Sequence, residues 1–182
     1  SPTTGAYRAT QSISVVVAFS EQVTVSGGTP SLSMDTNIPG PLATYLSGSG
    51  TSQLTFRYTI SAGDSSLDLD YTSSDALALN GSVLRDAAGN TALLTLPAPR
   101  APNSLSANSA VIVDTTLPSV EITSVVSGET SLDAIPVTVT FSEPVTGFTL
   151  SDFLVSNGCA SNLQGSGALY TAEIVPRSNG PP

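Results

Sequence analysis

Val17-Ala18-Phe19-Ser20-Glu21-Gln22-Val23-Thr24 returns as Val139-Thr140-Phe141-Ser142-Glu143-Pro144-Val145-Thr146, at an offset of 122 residues. Each copy ends a run with an apolar side chain at every second position. Ile13, Val15, Val17 and Phe19 alternate with Ser12, Ser14, Val16 and Ala18, and Ile135, Val137, Val139 and Phe141 with Pro136, Thr138 and Thr140. Successive side chains of an extended strand point to opposite faces, so a period of two marks a half-buried strand. Leu54, Phe56, Tyr58 and Ile60 repeat the pattern. So do Leu67, Leu69 and Tyr71, an alternation that predicts these three inward and Asp68 and Asp70 on a solvated face. No stretch longer than two turns carries a helical apolar stripe. Asp75 to Leu79 reads equally as a helical turn or a strand. Pro39-Gly40-Pro41, Asn80-Gly81, Gly89-Asn90 and Asn157-Gly158 punctuate the strands as turns. The fold class is therefore all-β, and short strands with regular turns predict sandwiches.

A second echo pairs Gly48-Ser49-Gly50 with Gly165-Ser166-Gly167, at an offset of 117. Similar motifs in the same order at nearly constant offset predict two related domains. The boundary falls in Val113-Asp114-Thr115-Thr116-Leu117-Pro118, giving domains over 1–114 and 115–182. The Pro-, Ala- and Ser-rich stretch from Pro97 to Asn108 predicts a loop before a last strand from Ala110 to Val113. Tyr7 leaves little room for a strand ahead of it. The 68 residues of the second domain fall short of the roughly 100 of a full sandwich, so it is expected to lack its last strand or strands.

Composition excludes many functions. The chain has 14 acidic and 5 basic residues among 182, a formal charge of -9, and no His or Trp. All five basic residues are arginines, and 51 residues are Ser or Thr. A nucleic-acid partner would need a basic footprint, and the sign is opposite. Without His there is no Ser-His-Asp triad and no His-bound zinc; without Lys there is no phosphate-binding lysine loop or Schiff base. Paired carboxylates alone do not define a glycosidase, so no enzymatic activity is expected. No apolar run approaches the length that spans a bilayer. Charged residues make up only 10%, so hydroxyls must cover the surface, as is common in secreted and cell-surface proteins. Any secretion signal was removed or lies upstream.

Phe-Ser-Glu-x-Val, Gly-Ser-Gly, Asp86-Ala87-Ala88-Gly89-Asn90 and Val113-Asp114-Thr115-Thr116-Leu117-Pro118, taken together, resemble the bacterial Ig-like repeats of large surface proteins. The first domain is similar to the SWM-type repeat, and the second, with Ser151-Asp152-Phe153, to a sister Ig-like type. The resemblance implies two tandem Ig-like β-sandwiches in an extracellular, non-enzymatic structural module, a stiff spacer or fibre-building unit. It leaves open an adhesin module that binds a glycan or protein through loops at one pole, or an accessory domain of a secreted hydrolase. Partners would be neighbouring Ig-like domains of the same or adjacent chains. The short second domain is explained either by a longer tandem array or by a strand donated from a neighbouring subunit.

The resemblance also places candidate sites. In an Ig-like sandwich the end of the second strand and the last loop share a pole. Glu21, Asp86 and Asn90 are thus candidate calcium ligands, and Asp114 with Glu143 candidates for a second site, because calcium takes several carboxylate, amide and carbonyl oxygens. Asp114 has the alternative role of shaping the turn before Pro118, and Gly89-Asn90 that of a hairpin turn. Asp64, Asp68 and Asp70 form another acidic group, read as a solvated face. Asn80-Gly81-Ser82 is a glycosylation sequon and Asn157-Gly158-Cys159 its rarer variant. Cys159, the sole cysteine, is free, modified or half of an intermolecular disulfide, with a small, partly buried apolar residue as the plainest reading.

Overall fold

A computed structural model of the protein describes residues 2–128 and 130–177. Two compact units, Ser1–Thr116 and Leu117–Pro182, divide the chain.

The first unit is all-β apart from one helical turn. In chain order it holds β1 (Gly5–Tyr7), β2 (Ser12–Gly27), β3 (Ser31–Asp35), β4 (Leu42–Ser47), β5 (Thr51–Thr59), β6 (Ser65–Ser66), β7 (Asp70–Tyr71), β8 (Leu77–Ala78), β9 (Ser82–Arg85), the turn α1 (Leu105–Asn108) and β10 (Val111–Asp114). One sheet runs β7-β3-β4-β5-β2-β9, with β8 also on β3, and the other runs β1-β10-β6. Ile13 and Val15 of β2, Leu54, Phe56 and Tyr58 of β5, and Val111 and Val113 of β10 meet in one buried cluster. Each such side chain contributes about 1.5–3 kcal/mol of burial. The periodicity put these side chains on one face of each strand.

Two local expectations need correction, and one open alternative is settled. A strand does precede β2: Gly5, Ala6 and Tyr7 lie parallel to Val111, Ile112 and Val113. Three residues suffice because the partner, β10, is already fixed by the core. Asp75 to Leu79 contributes the short strand β8 rather than a helix. Finally, Leu67 points outward, 89% exposed, and Asp70 is buried. The segment 67–71 is not one regular strand, so strict alternation fails there.

Asp70 organises the loop after Pro97. Its Oδ1 accepts from the N–H of Tyr71 (2.9 Å) and Leu105 (3.3 Å); its Oδ2 accepts from the Arg100 N–H (2.9 Å) and the Ser106 hydroxyl (2.7 Å). Burial opposes the charge, but the bonds from Arg100, Ser106, Tyr71 and Ser104 outweigh it and hold the carboxyl below its usual range. Asp64 is likewise buried; its carboxylate takes the Tyr58 hydroxyl and the Ser61 N–H (2.7 Å). Burial, then the Asp64 contact, pushes the Tyr58 hydroxyl well above its ordinary value. Of the three acids read as a solvated group, only Asp68 is exposed.

Among the described residues the second unit holds one sheet, β11 (Val120–Thr123), β12 (Ile135–Val145) and β13 (Gly158–Pro176), in that order. β13 doubles back at Gly165-Ser166-Gly167. The Arg177 N–H donates to the Asn157 carbonyl (3.1 Å), so the two ends meet. A 3-10 turn at Leu150–Asp152 is closed by the Asp152 carboxylate, which accepts from the Thr149 N–H (2.8 Å) and hydroxyl (3.0 Å). It sets Phe148 between Phe141, Phe153 and Tyr170, with centroids 5.0–5.3 Å away. Val139, Tyr170 and Ala172 are buried, whereas Val120 and Ile122 on the same face are more than half exposed.

The duplication read from sequence reaches into the strand register. Val17 faces Leu54, Val15 faces Phe56, and Ile13 faces Tyr58. In the second unit Val139 faces Tyr170, Val137 faces Ala172, and Ile135 faces Ile174. Register breaks between Ala18 and Val23 in one and between Thr140 and Val145 in the other, the same step 122 residues apart. Pairing then resumes as Val23 with Thr51 and Val145 with Gly167. The Phe-Ser-Glu-x-Val motif is therefore a β-bulge, which accommodates extra residues and bends the strand.

Candidate functional site

Glu21 sits in the bulge of β2. Beyond the bulge, Thr24 to Gly27 pair with β9, Thr24 facing Arg85. That register carries the loop after Arg85 back toward Glu21. Glu21, Asp86 and Asn90 consequently line one surface cavity of about 320 Å³, with Phe19, Val23 and Leu93. The three residues grouped from sequence thus share one site. The lining contains two carboxylates and no arginine.

The Asp86–Asn90 loop closes on itself. The Asp86 N–H donates to the Asn90 carbonyl (3.0 Å). Asp86 Oδ1 accepts from the Asn90 N–H and Oδ2 from the Asn90 side-chain amide, both at 2.7 Å. These bonds, the side-chain one first, hold the Asp86 carboxyl below its usual range. Calcium takes six to eight oxygens. Two carboxylates and one amide oxygen fall short of that, and Asp86 already commits both its oxygens to Asn90. The cavity side chains thus supply only part of a calcium ligand set. Among the described residues no three His, Cys, Asp or Glu side chains form a metal-holding group.

The other two metal candidates belong to different units. Asp114 ends β10 in the first unit and accepts from the Thr116 N–H (3.0 Å), the local turn role. Next to it, the Thr115 hydroxyl donates to the Asp64 carbonyl and accepts from the Gly63 N–H, both at 2.9 Å. Glu143 belongs to the second unit, in the bulge of β12; its Oε1 is enclosed without a hydrogen-bond partner among the described residues. Asn80 is exposed, but its amide nitrogen donates to the Ser31 hydroxyl (2.8 Å) and the Thr29 carbonyl (3.2 Å), and Ser82 is buried. A glycan on that nitrogen would have to displace both bonds. Cys159 is an exposed free thiol at the start of β13.

Sequence reasoning missed a longer feature. A second cavity of about 500 Å³ lines β2 from Val15 to Ala18, against Leu96 and Leu105. The first cavity shares Ala18 with it and lines β2 on to Val23. The signal was indirect: β2 has a copy in the second unit, and among the described residues a strand pairs with the matching stretch of this edge in that copy but not in β2.

No helix among the described residues is long and apolar enough to cross a membrane. Residues 114–181 match the family model of a bacterial Ig-like domain. No curated protein and no solved structure matches the chain. The second unit is thus similar to bacterial Ig-like domains, in keeping with its all-β sheet and with a structural or extracellular module.

Proposed function

We propose that the chain is a pair of tandem Ig-like modules acting as a non-enzymatic, extracellular spacer or fibre-building unit of a surface protein. The observation that carries this is the shared strand register with its bulge at the same step. It supports reading the first unit, similar to the SWM-type repeat in its motifs, as a relative of the second, which matches the bacterial Ig-like domain model. A repeated module with its own pairing adds length to a chain rather than a reaction centre. The hydroxyl-rich, weakly charged surface suits hydrated exposure outside the cell.

A spacer also needs a junction that resists bending. Thr115 is tied to Gly63 and Asp64. Pro118 fixes its own φ and biases Leu117 toward extended geometry. Backbone ¹⁵N relaxation tests this. The two units should tumble with one correlation time, and Pro118→Gly should split it into two. Independent tumbling of the unmodified chain would contradict a stiff spacer.

A further inference from the structure

We infer that the edge of β2 from Ser14 to Ser20 is a receptor for an added β-strand. The strand would be an extended segment of the pattern basic–x–apolar–x–apolar, lying antiparallel to β2. The inference deepens the fibre-building reading, since it supplies a contact between modules. It rests on the groove and on the internal repeat.

β2 has β5 along one edge. On the other it has β9, but only over Thr24 to Gly27. Among the described residues no strand pairs with Ser12 to Ala18 on that second edge. The segment from Thr91 to Pro97 lines the same cavities, yet Thr91 pairs with Arg85, and the Ala92 and Leu96 N–H groups donate to Leu84 and Ser74. Residues of this segment and of β2 line both cavities, and Ala18 lines each of them.

The second unit shows what this edge accepts. There β11 occupies the matching edge of β12, with Val120 opposite Phe141 and Ile122 opposite Val139. Val139 is fully buried, while its counterpart Val17 is only partly so. The Ser142 N–H donates to the Ser119 carbonyl (2.9 Å), which shows which amides of β12 face β11. With the offset of 122 and a period of two, the N–H groups of Val16, Ala18 and Ser20 face the open edge.

Register then fixes the chemistry of the strand. Its two apolar residues would lie opposite Phe19 and Val17, as Val120 and Ile122 do on β12. The residue two before the first of them, the place of Pro118, would lie opposite Glu21. There the cavity lining offers the Glu21 carboxylate, since Asp86 is engaged by Asn90 and the Arg85 guanidinium by the Gly89 carbonyl, so a basic side chain complements Glu21. Main-chain bonds along an edge give affinity and alternate side chains give specificity in such additions.

The test uses the whole ¹⁵N-labelled chain and a synthetic peptide, Arg-Ser-Val-Thr-Ile-Thr. Saturable binding is expected, with slowed hydrogen exchange at Val16, Ala18 and Ser20. N-methylation of the peptide amides facing β2 should weaken binding about tenfold or more, the loss of one or two hydrogen bonds. Replacing the peptide Arg by Glu should weaken it too, and this loss should shrink with salt. No binding, binding indifferent to N-methylation, or protection elsewhere would overturn the inference. Self-association that protects the same amides while the peptide fails would make the occupant a second copy, and would overturn the stated partner. Failure of the peptide leaves the relaxation test of the spacer untouched.

Discussion

Asp70 shows most clearly how one side chain can hold a long loop in this protein. A charged carboxylate deep in a sandwich is costly unless its oxygens are filled. Here two backbone N–H groups and a hydroxyl come from residues 30 to 36 positions downstream, and a third N–H from Tyr71. Asp70→Asn replaces one acceptor oxygen by a donor that faces other donors. It should cost about 3 kcal/mol in urea unfolding, since bonds to a charged group are each worth about 1.5–3 kcal/mol. The pH dependence has a definite sign. The folded carboxyl titrates below its ordinary value of 3.8, so the native state gives up its proton more readily than the unfolded one. Its contribution is complete above the unfolded pKa of about 4 and is lost as pH falls through the lower folded value. The asparagine variant should lack that part of the acid slope, and parallel slopes for the two proteins would contradict the cage. The alternation of residues 67–71 hid all this, because the donors arrive from a distant loop that local periodicity does not register. The Asp86–Asn90 pairing was closer to hand: both residues lie in one short loop, and the family resemblance implied their grouping with Glu21.

The bulged strand pair is the unit that the protein repeats. Its flanking turn explains the second echo. Pairing runs at an offset of 116, as Leu54 with Tyr170 shows, whereas the Gly-Ser-Gly motifs run at 117. The first unit thus carries one extra residue between Gly48 and Thr51. Gly48 and Gly165 hold nearly the same positive φ, +110° and +109°. A Cβ on Gly48 would stand 2.0 Å from the Gln53 carbonyl oxygen, and one on Gly165 2.3 Å from that of Leu169. By contrast a Cβ on Gly50, at φ +83°, would meet nothing within 4 Å. Gly48→Ala should therefore destabilise the first unit by about 3 kcal/mol or more, from clash and backbone strain together. Gly50→Ala should cost only about 1 kcal/mol, the strain alone. Thermal unfolding of the two variants checks the contrast, and equal costs would mean that the turn is not packed against the strand. The strands themselves were legible, because a period of two persists wherever one face is buried. The strand before β2 was not, since its pairing with β10 is parallel and joins the two ends of the first unit.

Two units built on one strand plan make this a modular chain. The sequence motifs, repeated in order, already implied that. What they did not reveal is how unevenly the two units are covered. The buried cluster of the first draws on both of its sheets. The second leaves Val120 and Ile122 largely exposed beside a single sheet. Motif spacing reports strands and turns, but the layer opposite a strand is set by contacts that no local pattern encodes. For the same reason the open edge of β2 became visible only by comparison with β12. The most direct test of the duplicated plan is an NMR measurement of interstrand contacts across both units. It should find Val17 facing Leu54 and Val139 facing Tyr170, with the register broken after Ala18 and again after Thr140. A different register for β12 against β13, or a break in only one unit, would contradict it.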